Sequence, residues 1–157
     1  MSRPEPFSPE RAVEIIALHA DREGALLPIL HALQHAFGFI PTEAVPIIAG
    51  ALNLSRAEVH GVATFYHDFR AEPAGRRVLK LCRAEACQSR GGDAIVARAE
   101  QRLGVRMGET TADHQVTLEP VFCLGLCASG PSAMLDDRLV GRIDDARLDA
   151  LIAEARS

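Results

Sequence analysis

Four cysteines, grouped in two pairs in the second half of the chain, constrain this protein more than any other feature of its sequence. The pairs are Cys82-x4-Cys87 and Cys123-x3-Cys127, in a chain of 157 residues. Each pair follows a segment with the apolar pattern of a short buried strand. Because adjacent strands can end at the same edge of a sheet, the pattern predicts that all four thiols meet at one site.

Three kinds of chemistry fit four thiols at one site. A pair of structural disulfides is disfavoured, because residues 1–6 lack the apolar core of a secretory signal and the cytosol keeps thiols reduced. Structural zinc usually takes its thiolates from tighter Cys-x2-Cys knuckles. A 2Fe-2S cluster needs two thiolates at each of two irons and can use looser loops. Spacing alone leaves zinc and iron-sulfur equally open.

Small residues surround the cysteines. They would let backbone N–H groups approach the sulfur atoms closely, and such donors stabilise a reduced iron-sulfur cluster and raise its reduction potential. These small residues are Ala84, Ala86, Gly125, Ala128 and Gly130.

Composition and charge exclude several classes of protein. The chain is 48% hydrophobic and 24% charged, which is typical of one globular domain or two small ones. It contains no apolar run of the length, about 18 residues, that a membrane span requires. A net charge of -4 and an aromatic content of 4% disfavour binding to nucleic acid. We therefore expect a soluble cytoplasmic protein without membrane insertion or a nucleic-acid partner.

The first 75 residues contain no cysteine and have the apolar periodicity of helices. Ser55 and Glu58 have the spacing of a capping box, and Leu54 and Val59 have that of a hydrophobic staple. Residues 1–75 are therefore predicted to be an N-terminal helical segment. Its expected helices run from Ser8 to about Asp21, with Val13, Ile16 and Ala20 on the apolar side, from Gly24 to Phe37, from Thr42 to Leu52, and from Ser55 to about Tyr66.

Residues 76–157 change to a pattern of short strands and helices. The order β-α-β-β-α predicts a small α/β sandwich that is thioredoxin-like in outline. The expected strands are Val78 to Leu81, Gln115 to Phe122, Ala133 to Leu135 and Leu139 to Ile143; the expected helices are Asp93 to Leu103 and a last one from Asp144.

The sequence around the cysteines has further recognisable features. The first pair stands in the segment CRAEACQSRGG (residues 82–92), and the second in CLGLC (residues 123–127), which is followed by Pro131. Two further motifs lie before the cysteines, in the helical segment: Leu30-x3-Gln34-x3-Gly38-x2-Pro41 and Val59-x2-Val62-x-Thr64-Phe65-Tyr66. Together these segments resemble the thioredoxin-like 2Fe-2S ferredoxin subunits of NADH-linked enzymes, a family that includes subunits of respiratory complex I, NAD-dependent hydrogenases and formate dehydrogenases.

The resemblance implies a set of ligands and partners. Cys82 and Cys87 would hold one iron of a 2Fe-2S cluster, and Cys123 and Cys127 the other. A partner subunit would bind FMN and NAD, and this chain would transfer electrons without a catalytic residue of its own. The fold implied is a thioredoxin-like α/β domain of residues 76–157 that follows the helical segment.

Within the family, residues 84–88 (AEACQ) most resemble the gamma subunit of cytoplasmic, molybdenum-dependent, NAD-reducing formate dehydrogenase. A molybdenum- and iron-sulfur-containing catalytic subunit would then be a second partner. The equivalent subunit of complex I or of an NAD-linked hydrogenase is the alternative. An alternative of another class is an iron-sulfur or zinc-binding regulator, with Thr42 to Tyr66 as a helix-turn-helix whose acidic surroundings would repel DNA.

Other residues have less specific interpretations. His31 and His35 are four apart on a helix, but solvated or interfacial histidines are expected there rather than a metal site. The segment Thr64 to Tyr66 is interpreted as core and interface packing rather than as a catalytic tyrosine. Asp136-Asp137 and Asp144-Asp145 are interpreted as a turn and a helix start.

Overall fold

The structure is a computed structural model that describes residues 4–157, and it divides into two compact units, Met1–Pro73 and Ala74–Ser157. The expectation about a missing secretory signal rests partly on residues 1–3, which lie outside the described residues. Within residues 4–157, no helix is both long enough and apolar enough to cross a bilayer.

Four helices form the described part of the first unit. Their bounds are α1 Pro9–Ala17, α2 Leu26–Phe37, α3 Ala44–Leu52 and α4 Arg56–Phe65. Glycine or asparagine in the left-handed conformation ends two of them, at Gly38 after α2 (φ 83°) and at Asn53 after α3 (φ 53°). The helices surround an apolar core that includes Ile16, Ile29, Leu30, Leu33, Phe37, Ile48 and Val59.

The start of α4 confirms the predicted capping box. The Ser55 hydroxyl accepts a hydrogen bond from the Glu58 N–H at 3.2 Å, and the Glu58 carboxylate accepts one from the Ser55 N–H at 2.8 Å. Leu54 packs against the core cluster that contains Val59, as a hydrophobic staple requires.

Helix α1 is shorter than predicted, and of its predicted apolar positions Ile16 is buried whereas Val13 is not. Ser8 caps it as expected, but it ends at Ala17, and Val13 is 52% exposed. The buried positions are Ala12, Ile15 and Ile16. Both sets of positions have helical spacing, and the observed one buries two isoleucines and therefore more apolar surface.

The second unit is a four-stranded sheet with helices, as the α/β prediction requires. The strand order is β2-β1-β3-β4, in which β1 and β2 are parallel and the other pairs are antiparallel. Its elements are β1 Arg77–Cys82, α5 Glu85–Gln88, α6 Gly92–Leu103, β2 Val116–Val121, β3 Ala133–Leu135, β4 Arg138–Val140 and α7 Asp145–Arg156.

The core of the second unit lies between the sheet and its two longer helices. Strands β1, β2 and β3 contribute Leu79, Leu118 and Leu135, all at most 1% exposed. Helices α6 and α7 cover them with Ala99 and Leu148. This packing fixes the ends of β1 and β2, from which the cysteine loops leave.

The last predicted strand is partly wrong. We expected Leu139 to Ile143, but β4 is Arg138–Val140. Arg142 adopts a left-handed φ of 52°, which breaks an extended strand, and its N–H donates to the Ser129 carbonyl. Ile143 is buried outside the sheet, so its apolar character reflects core packing rather than strand pairing.

Candidate metal centre

The ends of two parallel strands bring the cysteine pairs together. Cys82 is the last residue of β1 and stands opposite Val121, the last residue of β2. The Arg83 N–H donates to the Val121 carbonyl at 2.8 Å, so the two chain segments remain adjacent as they leave the sheet. Cys123 lies two residues after Val121, just beyond the end of β2. The prediction that adjacent strands place both pairs at one edge is confirmed.

A short helix positions Cys87. Helix α5 begins after Ala84, whose carbonyl accepts the Cys87 N–H at 2.9 Å. The Gln88 side chain, at the end of α5, donates at 2.6 Å to the Arg83 carbonyl before its start and so links the two ends of this short helix. As a result the Cys87 side chain points inward and is 1% exposed. The sequence analysis missed this helix, because four residues are too few to show an apolar period.

The second pair lies on a tight, exposed loop. Cys123 has a φ of 97°, and Cys127 begins a single 3₁₀ turn, Cys127–Ser129. The two sulfur atoms are 3.8 Å apart, and the Gly125 N–H donates to the Cys123 sulfur at 3.4 Å. A disulfide would require a separation of about 2.05 Å. All four cysteines are free thiols, Cys82 and Cys87 buried and this pair exposed.

The sulfur of Cys82 is where the two loops meet. Burial is the largest single influence on the pKa of Cys82 and raises it, yet hydrogen bonds to the sulfur outweigh burial and lower the pKa below its ordinary value. The donors, in order of decreasing effect, are the backbone of Ala84, the side chain of Cys87, and the backbones of Cys123 and Leu124. One sulfur of the first pair is thus bound by the loop that bears the second.

The thiols also influence one another's charge. The pKa of Cys127 is raised, first by its hydrogen bond with the Cys123 side chain, then by the charge of Cys123, with burial and the Cys87 charge adding to the effect. A positive group among these sulfur atoms would relieve the repulsion that raises the pKa of Cys127. Crowded thiols with N–H donors directed at sulfur are the chemistry expected of a metal-sulfur site.

The segment before β3 closes over Cys87. A Cβ atom at Gly130 would lie 3.3 Å from the Cys87 sulfur, so a glycine permits this approach. The Arg90 guanidinium donates to the Gly130 carbonyl at 2.9 Å, and the Gly130-Pro131 peptide is cis. The Ser132 hydroxyl lies 3.5 Å from the Cys87 sulfur. Sequence analysis did not single out Ser132; the signal available was a polar residue at the start of a buried strand.

Two of the five small residues around the cysteines donate to sulfur as expected, and the Gly130 N–H instead donates to the Cys127 carbonyl. Ala84 and Gly125 donate their N–H groups to sulfur, and Gly130 packs against Cys87. Ala86 and Ala128 lie in the short helix α5 and in the 3₁₀ turn of the same two loops. The backbone, rather than charged side chains, therefore supplies most of the donors at this site.

Zinc and a 2Fe-2S cluster require different arrangements of thiols. Structural zinc needs four side chains around a single ion. Among residues 4–157, no three or more His, Cys, Asp or Glu side chains are already close enough together to hold a metal ion, so this observation does not separate the two kinds of site. A 2Fe-2S cluster needs two thiolates at each iron, with bridging sulfides as the remaining ligands. Two thiol pairs on facing loops match that requirement.

Comparison with known proteins agrees with the geometry. Residues 12–156 match the family model described as thioredoxin-like [2Fe-2S] ferredoxin. The chain belongs to this family. Membership confirms the thioredoxin-like α/β fold predicted from the sequence, and it makes a 2Fe-2S cluster the cofactor of the family to which the chain belongs.

Individual relatives of this ferredoxin-family chain are parts of larger enzymes. It is 39% identical over 141 residues to a subunit of NADH-quinone oxidoreductase from Rhizobium meliloti (strain 1021), covering 90% of this chain and 84% of the relative. It is 29% identical over 151 residues to NADP-reducing hydrogenase subunit HndA of Solidesulfovibrio fructosivorans, and the match covers 96% of this chain and 88% of that relative.

A solved structure is also similar. A chain of an NAD+-reducing [NiFe]-hydrogenase in the air-oxidized state superposes with a TM-score of 0.71 at 27% identity. The match covers 83% of this chain and 22% of the hydrogenase chain, so this ferredoxin-family chain spans only about a fifth of that longer polypeptide.

The remaining candidate residues have structural explanations. His31 is exposed and its ring contacts Phe69 edge to face, with centroids 4.9 Å apart. Asp136 forms the predicted turn, in which its carboxylate accepts the Val78 N–H at 2.9 Å. Asp144 caps α7 by accepting the Arg147 N–H at 2.8 Å, as the helix-start interpretation requires.

The expectation for Thr64 to Tyr66 needs a correction. Phe65 is 74% exposed and Tyr66 43% exposed, so neither packs in the core. Their rings contact each other edge to face, with centroids 5.1 Å apart. Helix α4 turns Val59 inward, and the periodicity of the helix then places Phe65 on its outer side. The interface half of the expectation stays a prediction.

Proposed function

We propose that this chain is the electron-transfer subunit of an NAD-linked oxidoreductase and binds one 2Fe-2S cluster. Cys82 and Cys87 hold one iron, and Cys123 and Cys127 hold the other. The unit Ala74–Ser157 is the ferredoxin domain, for which the sequence predicts a start at residue 76. The observation that supports this most directly is the meeting of both cysteine loops at the Cys82 sulfur.

The residues of the chain bind the cluster and set its surroundings. When bound, the cluster supplies one-electron transfer between its formally Fe(III)Fe(III) and Fe(III)Fe(II) states. The N–H groups of Ala84, Cys123 and Leu124 stabilise negative charge at the Cys82 sulfur. Ligation by four cysteines favours a negative potential, as in plant-type ferredoxins near about -400 mV. Such a potential suits exchange of electrons with a flavin.

The partner that follows from this proposal is a flavoprotein subunit with FMN and NAD. The relatives described above are subunits of NADH-quinone oxidoreductase and of hydrogenases that use NAD or NADP. The sequence shows no Gly-rich dinucleotide fingerprint, so this chain depends on another subunit for the nicotinamide. We place the assembly in the cytoplasm, as the sequence analysis predicts.

The helical unit offers a surface for that partner. An open groove of about 830 Å³ lies between its helices, and the exposed rings of Phe65 and Tyr66 stand at its side. Apolar surface of this kind is typical of an interface with another protein. Because the proposed function requires a flavoprotein subunit, we assign the groove to it. The other residues around the groove are Ala20, Arg22, Gly24, Ala25, Leu26, Leu27, Ala51, Leu52, Asn53, Leu54, Gly61 and Val62.

Formate dehydrogenase is our proposal for the whole enzyme, because residues 84–88 most resemble the gamma subunit of its molybdenum-dependent form. The relatives found by comparison favour complex I or an NAD-linked hydrogenase as the alternative. Affinity purification of the chain from its own cells separates these assemblies. Co-purification of a molybdenum protein with formate-dependent NAD reduction supports our proposal, whereas nickel or a membrane-bound partner complex contradicts it.

The cluster itself is tested by iron analysis and electron paramagnetic resonance. The protein, purified without oxygen and reduced with dithionite, should give a rhombic spin-one-half signal. Cys87→Ala and Cys123→Ala should each lose most of the iron and the signal. Ser89→Ala is the control, because the Ser89 hydroxyl donates to the Ala86 carbonyl rather than to sulfur. A silent preparation that contains zinc, or full iron in the cysteine variants, would contradict the assignment.

A further inference from the structure

Ser132 contacts both cysteines of the buried pair. Its hydroxyl oxygen is 3.5 Å from the Cys87 sulfur, and its backbone carbonyl accepts the Cys82 N–H at 3.0 Å. The residue is 3% exposed, so water cannot satisfy the hydroxyl. A buried hydroxyl without a partner is unfavourable, and the Cys87 sulfur is the partner that the structure gives it.

Hydrogen bonds hold the backbone beside Ser132. On one side, the Arg90 side chain donates to the Gly130 carbonyl at 2.9 Å. On the other, the Ile143 N–H donates to the Pro131 carbonyl at 3.0 Å. Ser132 follows directly and leads into β3, which pairs with β1. These bonds hold the backbone that leads into Ser132, and neither of them uses the Ser132 hydroxyl.

The direction of this hydrogen bond follows from the ligand chemistry. In a free thiol, either the serine or the cysteine can donate. A thiolate bound to iron has no proton, so the Ser132 hydroxyl must be the donor and the sulfur the acceptor. A donor to a ligand sulfur stabilises negative charge there, and this stabilisation is greater once an electron has been added.

We propose that Ser132 is a positioning residue that raises the reduction potential of the cluster through its hydrogen bond to the Cys87 sulfur. This inference rests on the proposed function, since it requires Cys87 to be an iron ligand. No bond to Ser132 forms or breaks during the electron transfer. One electron enters from the flavoprotein partner or from a chemical reductant, and the proton stays on the serine oxygen.

The test compares Ser132→Ala with Ser129→Ala in the full-length, cluster-containing protein. Ser129 lies in the same loop, but its hydroxyl donates to the Leu126 carbonyl. Reduction potentials are measured by a redox titration followed by electron paramagnetic resonance. We expect Ser132→Ala to bind normal iron and to have a more negative potential. A decrease of up to about tenfold in the equilibrium constant for reduction corresponds to about 59 mV for one electron.

Ser129→Ala should keep the wild-type potential, and Ser132→Thr, which retains the hydroxyl, should keep it too. The inference is overturned if Ser132→Ala has the wild-type potential, if Ser129→Ala shifts as far, or if Ser132→Thr is as negative as Ser132→Ala. It is also overturned if Ser132→Ala cannot bind iron, because the hydroxyl would then build the site rather than tune it. Absence of a cluster in the wild-type protein contradicts the proposed function instead.

Discussion

At the scale of single residues, Gly92 determines whether Cys87 can reach its position. Gly92 is the first residue of α6, and a Cβ atom there would lie 2.7 Å from the Cys87 carbonyl oxygen and 2.9 Å from its carbonyl carbon. We predict that Gly92→Ala displaces the Cys87 backbone, destabilises the protein by about 1–3 kcal/mol and lowers the iron content per chain. Urea unfolding and iron analysis measure both effects.

The control for Gly92 is Gly50, which lies inside α3, where an added Cβ atom would have no neighbouring atom within 4 Å. Gly50→Ala should stabilise the helical unit by up to about 1 kcal/mol through helix propensity and leave the iron content unchanged. If Gly92→Ala keeps wild-type stability and iron, the close contact with Cys87 does not constrain the site as we describe.

The residues of the site differ in how far the sequence could predict them. The four cysteines follow strands of recognisable pattern, so their meeting at one edge of the sheet could be predicted. Ser132 could not, because its contact with Cys87 joins residues 45 positions apart through a loop of irregular conformation. The same holds for Arg90, whose acceptor Gly130 is 40 positions away. Periodicity reports which face of an element is buried, and gives no information on such contacts.

At the scale of elements, the capping box of α4 gives the helical unit a dependence on pH. Hydrogen bonds from the Ser55 N–H and then from its hydroxyl hold the pKa of Glu58 below its ordinary value. A lowered pKa in the folded state contributes stability above the unfolded-state value, about 4.3, and that contribution is lost as the pH falls through the folded pKa. Glu58→Gln does not titrate, so we predict a smaller loss of stability between pH 6 and pH 3.

Urea unfolding followed by the helical circular dichroism signal measures this difference. Glu72→Gln is the control, since Glu72 is an exposed glutamate of the same unit outside its helices. Acid-induced changes in the ferredoxin unit are common to all three proteins and cancel in the comparison. An equal loss of stability in wild type and Glu58→Gln would show that the capping carboxylate does not contribute in this way.

The bounds of an element could be predicted where residues close in sequence determine them. They could not be predicted where residues distant in sequence do. The start of α4 depends on Ser55 and Glu58, three positions apart, and the structure confirms it. The end of β4 depends on Arg142, whose N–H is held by the Ser129 carbonyl from another loop. The register of α1 depends on which of two helical stripes packs better, and only the whole core decides that.

At the scale of the whole molecule, the residues to which we assign cluster binding and partner binding lie in different units. The thiols all lie in Ala74–Ser157, whereas the groove beside Phe65 lies in Met1–Pro73. The sequence indicates this division through the change from helical to mixed periodicity, with a predicted boundary after residue 75. Each unit has its own apolar core. A surface change in the helical unit should therefore leave the cluster intact.

The proposed role of the groove leads to a test on the assembled enzyme. Phe65 is 74% exposed beside the groove, and Leu18 is 75% exposed in the same unit but outside it. If the flavoprotein subunit covers the groove, Phe65→Ala removes a large apolar contact and should weaken binding by about 2 kcal/mol or more, as at interface hot spots. Leu18→Ala removes a similarly exposed side chain and should have little effect.

Pull-down of the flavoprotein subunit with tagged protein, combined with iron analysis of each variant, measures the two properties separately. We expect Phe65→Ala to retain wild-type iron and the spin-one-half signal while it recovers less flavin. Wild-type recovery of flavin with Phe65→Ala would mean that the partner binds elsewhere on the chain. Loss of iron from Phe65→Ala would mean that the two units do not divide binding and electron transfer between them.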